Sequence, residues 1–260
     1  MGNEKRGISV AAFVGVREGV GTTTIAAQVA ALLAEQVQVK LLCLGTAALA
    51  QNLAHTFGFH TPRTVLDLVP SWLESGLVSA ETLKNFVVAY SDQVDVLCLE
   101  EQFSAQDRER LHSYRGREFG EEVFNAADAC GYDALIVDAG KMPLSILREV
   151  FLRRADWLFC VGGTPKQDLW TVADTLNRLP TEVCAGKRYA ILRGKNSFWN
   201  LDRDALTQQN LRSFFVPWIE PATTVEDWRA EPSFKRAIRS ILNEFPISGG
   251  LLDWLPFARN

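Results

Sequence analysis

The stretch "FVGVREGVGTTTIAAQVAALLA", Phe13 to Ala34, holds the residues with the clearest chemical potential. Gly19 and Gly21 permit a tight turn, Thr22, Thr23 and Thr24 add hydroxyls, and apolar runs supply a strand before the turn and a helix after it. Backbone N–H groups of such a turn, together with the positive end of the helix, cradle phosphate oxygens. No lysine stands where a phosphate loop keeps its cation. Arg17 lies in the loop, and a guanidinium suits bidentate phosphate contact. Lys141 stands just past "DALIVDAG", in "DAGKMP", at the C-terminal end of that strand, where open α/β sheets bind ligands. Either cation has an alternative as a solvated surface charge. Glu18 adds a negative charge to the same loop.

Other chemistries find little support. Cys43, Cys98, Cys130, Cys160 and Cys184 are scattered singly, without a CxxC pair, and His55, His60 and His112 form no cluster. Cys43, Cys98 and Cys160 lie within apolar runs and read as small core residues in a reducing compartment.

The elements that must position the loop follow from the hydrophobic pattern. Apolar runs alternate with segments of helical period, the pattern of a central parallel sheet covered by helices. The expected strands are Ile8 to Val16, Val39 to Gly45, Val94 to Leu99, Asp133 to Gly140, Asp156 to Gly163, Arg188 to Arg193 and Ser213 to Trp218. Most keep their polar residues at the ends, so both faces must be buried. Helices are expected over Thr23 to Glu35, Leu66 to Glu74, Glu118 to Ala129, Ser145 to Arg153, Gln167 to Leu179, Leu201 to Asn210 and Ser233 to Phe245. Ser79, with Glu81 and Thr82 after it, starts a further short helix.

A chain of 260 residues, 47% hydrophobic, suffices for one large core. The expected organisation is one domain over 1–245 with an apolar tail over 246–260. The formal charge of −4 gives no broad positive field for nucleic acid. The opening apolar run is short and leads into Arg17 and Glu18, which fits neither a signal peptide nor a membrane span. A cytoplasmic location is expected, with recruitment to the inner face of a membrane or a cell pole compatible with it.

Aligned on "REGVGTTT", the loop resembles the deviant Walker A motif, K-G-G-x-G-K-T-T, of the MinD/ParA group of ATPases. Arg17 takes the place of the signature lysine, Glu18 that of the first glycine, and Thr22 that of the general P-loop lysine. Gly19, Val20, Gly21, Thr23 and Thr24 match. The "GVGTTT" variant looks most like the CpaE/TadZ branch, which is associated with assembly and polar placement of Flp-type pili. The resemblance implies a doubly wound α/β fold of the P-loop NTPase, SIMIBI-like kind, with ATP and Mg²⁺ as cofactors and a homodimer that sandwiches nucleotide. "YDALIVDAG" looks like the Walker B strand and puts Asp138 where the family holds Mg²⁺ through water. Thr23 would then coordinate the same ion, the alternative being that the three threonines cap the helix. Arg17 would reach a phosphate across the dimer, and Pro217, Trp218 and Ile219, in "FFVPWIEP", would approach the adenine.

Three departures bear on turnover. Hydrolysing members use an aspartate in the loop after the second strand to orient the attacking water, yet no Asp or Glu occurs between Glu35 and Asp67. With Thr22 the site lacks a cation that offsets β- and γ-phosphate charge. The family's base-reading Asn is also missing, because Arg193 and Gly194 occupy its expected region. The enzymatic expectation is at most a weak ATPase.

The tail "FPISGGLLDWLPFARN" invites comparison with the membrane-binding helix of MinD. Pro256 interrupts any helix and only Arg259 supplies a cation, so docking of Leu252, Trp254 and Phe257 on the body or a partner is expected instead. Trp199 and Trp228 fall in loop or helix-edge contexts, where burial and an interface role both fit. Gln106 to Glu122 carries charges of both signs, including Arg108, Arg110, Arg115 and Arg117, and reads as a solvated face or an Arg-lined partner surface. The functional expectation is a nucleotide-dependent localisation or assembly factor that positions a pilus, secretion apparatus or other cell-pole partner. An active partition-type ATPase and a nucleotide-free scaffold are its alternatives.

Overall fold

Apolar runs become strands because their side chains can be buried on both faces of one sheet. The computed structural model describes residues 8–36, 41–45, 53–58, 68–98, 114–141, 146–163, 166–179, 186–194, 211–219 and 224–244. The seven expected strands are β1 (Ser9–Gly15), β2 (Leu41–Gly45), β4 (Val94–Leu97), β5 (Ala134–Lys141), β6 (Trp157–Gly163), β7 (Lys187–Gly194) and β8 (Arg212–Pro217), and β3 (Val88–Ala89) is added at the edge. The order is β3-β4-β2-β5-β1-β6-β7-β8. All pairs are parallel except β3 with β4.

Helices cover both faces. α1 (Thr22–Gln36), α8 (Val225–Arg229) and α9 (Pro232–Leu242) lie on one side. There Ile25, Val29, Leu33, Trp228, Phe234 and Ile238 share a cluster with Phe13, Ile136, Phe159 and Ile191 of the strands. α3 (Leu68–Ser75), α5 (Tyr114–Ala129), α6 (Ile146–Arg153) and α7 (Lys166–Arg178) cover the other. Their Trp72, Phe119, Phe151 and Val172 meet Val10, Leu42, Val137 and Cys160. β1 shows the logic within one strand: Val10, Ala12 and Val14 face one cluster, Ala11 and Phe13 the other. This is a doubly wound α/β fold.

α4 (Ala80–Phe86) starts at Ser79, whose hydroxyl accepts from the Thr82 N–H. α9 places Phe234, Ile238, Ile241 and Leu242 on one buried stripe behind a proline at its start. α5 begins at Tyr114 instead of Glu118, because Phe119 and Val123 are buried while Arg115, Arg117 and Glu118 remain exposed, an amphipathic pattern that extends into the charged stretch. α2 (Leu53–Thr56), β3 and α8 are too short to leave a periodic signal. The helix expected over Leu201 to Asn210, the tail 246–260, Trp199, Arg108 and Arg110 lie outside the described residues. Among the described residues no helix is long and apolar enough to cross a membrane.

Candidate functional site

β1 connects towards β2 on one side, whereas its neighbour β5 connects across it to β6 on the other, so the winding reverses here and a crevice opens beyond the C-terminal ends of the two strands. The glycine loop starts there. A Cβ at Gly15 would stand 2.4 Å from Thr22 Oγ1 and 3.2 Å from the Arg17 carbonyl oxygen, so the chain folds tightly back on its own strand. Gly19 and Gly21 take φ of 73° and 89°, the left-handed region that favours glycine. Val20 between them is buried and anchors the turn in the core. α1 follows, the Ile25 N–H donating to the Gly21 carbonyl at 3.0 Å. No acidic residue occupies its first turn, which leaves the positive helix end uncompensated from within.

Thr22 is buried, whereas Thr23 and Thr24 are partly exposed. The Thr23 hydroxyl donates to Asp138 Oδ2 at 2.5 Å. Oδ1 of the same buried carboxylate accepts the Gly140 N–H at 3.0 Å. That second bond depends on an irregularity in the ladder: Phe13 pairs with Asp138 but Gly15 with Lys141, so β5 carries an extra residue, and Gly140 takes φ of 65°. The bulge turns the end of β5 back onto its own aspartate. A hydroxyl and a carboxylate beside a glycine loop are oxygen donors of the kind that Mg²⁺ accepts, directly or through water. Among the described residues no three His, Cys, Asp or Glu side chains gather into a metal cage.

The two cations singled out by sequence each meet a carboxylate. Arg17 forks onto Asp168 of α7, with Nε 3.1 and 3.0 Å from its two oxygens and Nη2 2.9 Å from Oδ2. Asp168 is buried and also accepts the Gly163 N–H at 2.8 Å, which ties the loop to the end of β6. Lys141 pairs with Glu18 at the exposed rim. Glu18 is thereby engaged at the rim.

A third cation carries no signal in the sequence pattern. Arg193, next to last in β7, is only 3% exposed. Its guanidinium carbon lies 4.3 Å from the ring centre of Trp218 and 4.4 Å from that of Trp228. Nη1 rests against the glycine loop: a Cβ on Gly21 would come within 1.5 Å of it. Nε and Nη2 are buried without a hydrogen-bond partner among the described residues, and burial pushes the group down to about 9.

Several elements converge to build this cluster. Pro217 ends β8 opposite Gly194, and the Trp218 N–H donates to the Gly194 carbonyl at 2.9 Å. α8 delivers Trp228 through a capping box, Thr224 accepting from the Asp227 N–H and Asp227 returning the bond. α1 holds α8 in place: Gln28 Nε2 donates to the Val225 carbonyl at 2.7 Å, and Glu35 pairs with Arg229 and Lys235. Thus Trp218 reaches the loop through Arg193, Pro217 sits opposite Gly194, and Arg17 lies towards α7. The Thr224-x-x-Asp227 signature was readable, but nothing in one dimension joins Arg193 to two distant tryptophans.

No family model and no curated protein matches the sequence. Solved structures do. A ParA family ATPase from Chlorobium tepidum aligns with a TM-score of 0.72 at 17% identity, over 91% of this chain and 99% of that one. The fold is that of the ParA and MinD ATPases. The MinC:MinD cell division protein complex of Aquifex aeolicus gives a TM-score of 0.66 at 16% identity, over 91% of this chain and 96% of the matched chain. An ATP complex of a McdA variant from Cyanothece gives 0.66 at 15% identity, over 91% and 95%. On this fold the chain brings together the glycine turn, Thr23 and the strand-end Asp138, with its described cations arranged as above.

Proposed function

We propose that the chain is a nucleotide-operated positioning factor that binds ATP with Mg²⁺ and turns it over slowly at most. The observation that carries the proposal is the Thr23–Asp138 contact at the mouth of a glycine turn and a helix end with no acidic residue in its first turn. The amides of Gly19 to Thr24 would hold phosphate oxygens, and Thr23 and Asp138 would hold the metal, Asp138 through water. Bound Mg²⁺ would supply charge neutralisation between β- and γ-phosphates. Pro217 and Trp218 line the side expected to meet the base.

Slow turnover is supported by the missing carboxylate between Glu35 and Asp67 and by Thr22 in the lysine's place. A switch needs two states of different nucleotide affinity. We assign these to monomer and homodimer, with Arg17, half exposed and paired with Asp168, at or near the dimer face. Placement of a pilus or secretion apparatus rests on the "GVGTTT" variant alone; positioning of a cell-pole partner is the broader form of the reading.

The test is a titration of the full chain with ATP·Mg²⁺, followed by sizing. Binding with a shift from monomer to dimer is expected, and Asp138→Ala should weaken both. Absence of binding at millimolar nucleotide would leave a scaffold only. Robust phosphate release abolished by Asp138→Ala would instead make the chain an active ATPase.

A further inference from the structure

The site lacks its usual lysine, yet it contains one cation whose donors are unmet. Arg193 is buried beside Gly21, and two of its donor nitrogens have no acceptor among the described residues. A desolvated charge left this way is costly unless something pairs with it. Indole rings attract a cation but accept no conventional hydrogen bond, so Trp218 and Trp228 hold the guanidinium in place without satisfying its N–H groups. What the group lacks among the described residues is an anionic acceptor. The nearest place for one is the glycine loop, where the α1 amides also seek acceptors.

We propose that Arg193 is the phosphate-binding cation of this site, reaching the nucleotide from the C-terminal end of β7 where the loop itself offers Thr22. The assignment rests on the nucleotide-binding reading above and adds to it the residue that replaces the lost charge. A guanidinium fork can donate two parallel bonds to one phosphate, which a lysine cannot. Gly21 is required twice over: its φ is 89°, and any side chain would strike Nη1. The base would then be met by the outer part of Trp218, which is 36% exposed.

The experiment compares the full-length parent chain with Arg193→Gln by calorimetry, using ATP·Mg²⁺ and inorganic tripolyphosphate·Mg²⁺ as separate ligands. The expected result is a loss of roughly ten- to a hundredfold in affinity for both, as for removal of a charged hydrogen bond. Equal affinity of parent and variant for both ligands would overturn the assignment and leave nucleotide binding intact. A loss for ATP with tripolyphosphate unchanged would also overturn it, because the arginine would then serve the base. Failure of the parent chain to bind either ligand removes the nucleotide reading itself. Circular dichroism checks folding first. Should Arg193→Gln not fold, Arg193→Lys, which keeps charge but loses the fork, carries the same titrations with a several-fold loss expected for both ligands and no loss as the contrary result.

Discussion

The two flanks of the glycine loop treat positive charge in opposite ways. On the β5–β6 side, Arg17 and Lys141 are half exposed and each has a carboxylate, Asp168 or Glu18. On the β7–β8 side, Arg193 is buried among indoles with no carboxylate within ion-pair distance among the described residues. The difference teaches that cation count says little about where an anion will bind. A paired surface charge is already content, and an unpaired buried one keeps its full demand for a partner.

The contrast can be broken most severely at the point where the two flanks meet. Gly21→Ala drives a methyl into the guanidinium and forces alanine to a φ of 89°, so it should cost about 3 kcal/mol of unfolding free energy, read from the urea midpoint. Gly19→Ala, with open space around it, should cost only about 1 kcal/mol. Equal costs would mean that Arg193 does not press on the loop. Next in size is Asp168→Ala, which strands both the Arg17 fork and the Gly163 N–H and should cost about 2 kcal/mol in the same assay.

Smaller effects sharpen the comparison through their sign. Without nucleotide, Arg193→Met should stabilise the protein by about 1 kcal/mol, seen as a higher Tm, because an uncompensated charge gives way to an apolar chain between tryptophans. A marked fall in Tm would show that the arginine already has what it needs. Smallest is Glu18→Gln, which breaks a pair exposed on both sides and should change stability by less than about 0.5 kcal/mol. A larger loss would move the β5–β6 rim into the same class as the buried flank.

Much of the fold was legible because a strand buried on both faces writes itself as an unbroken apolar run, as "LIVDAG" and "WLFCVGG" do. The glycine turn was legible for a related reason, since few residues other than glycine tolerate its dihedrals. β3 was not, having two residues and no period, and α8 owes its place to Trp228 packing as much as to its cap. Trp228, left open between interface and core by sequence, is buried, while Trp170 on α7 is exposed. Arg193 shows the limit most clearly. An arginine at the end of an apolar strand reads as the point where the chain returns to water, and only the juxtaposition of β7, β8 and α8 encloses it.

The tryptophan pair around that arginine has an optical consequence. Indole emission responds to nearby charge, and here two of the seven chromophores share one cation at van der Waals range. An anion arriving beside it alters the local field on both rings at once. Binding there would give a dye-free reporter of occupancy, and Trp218→Phe would divide the signal between the two rings.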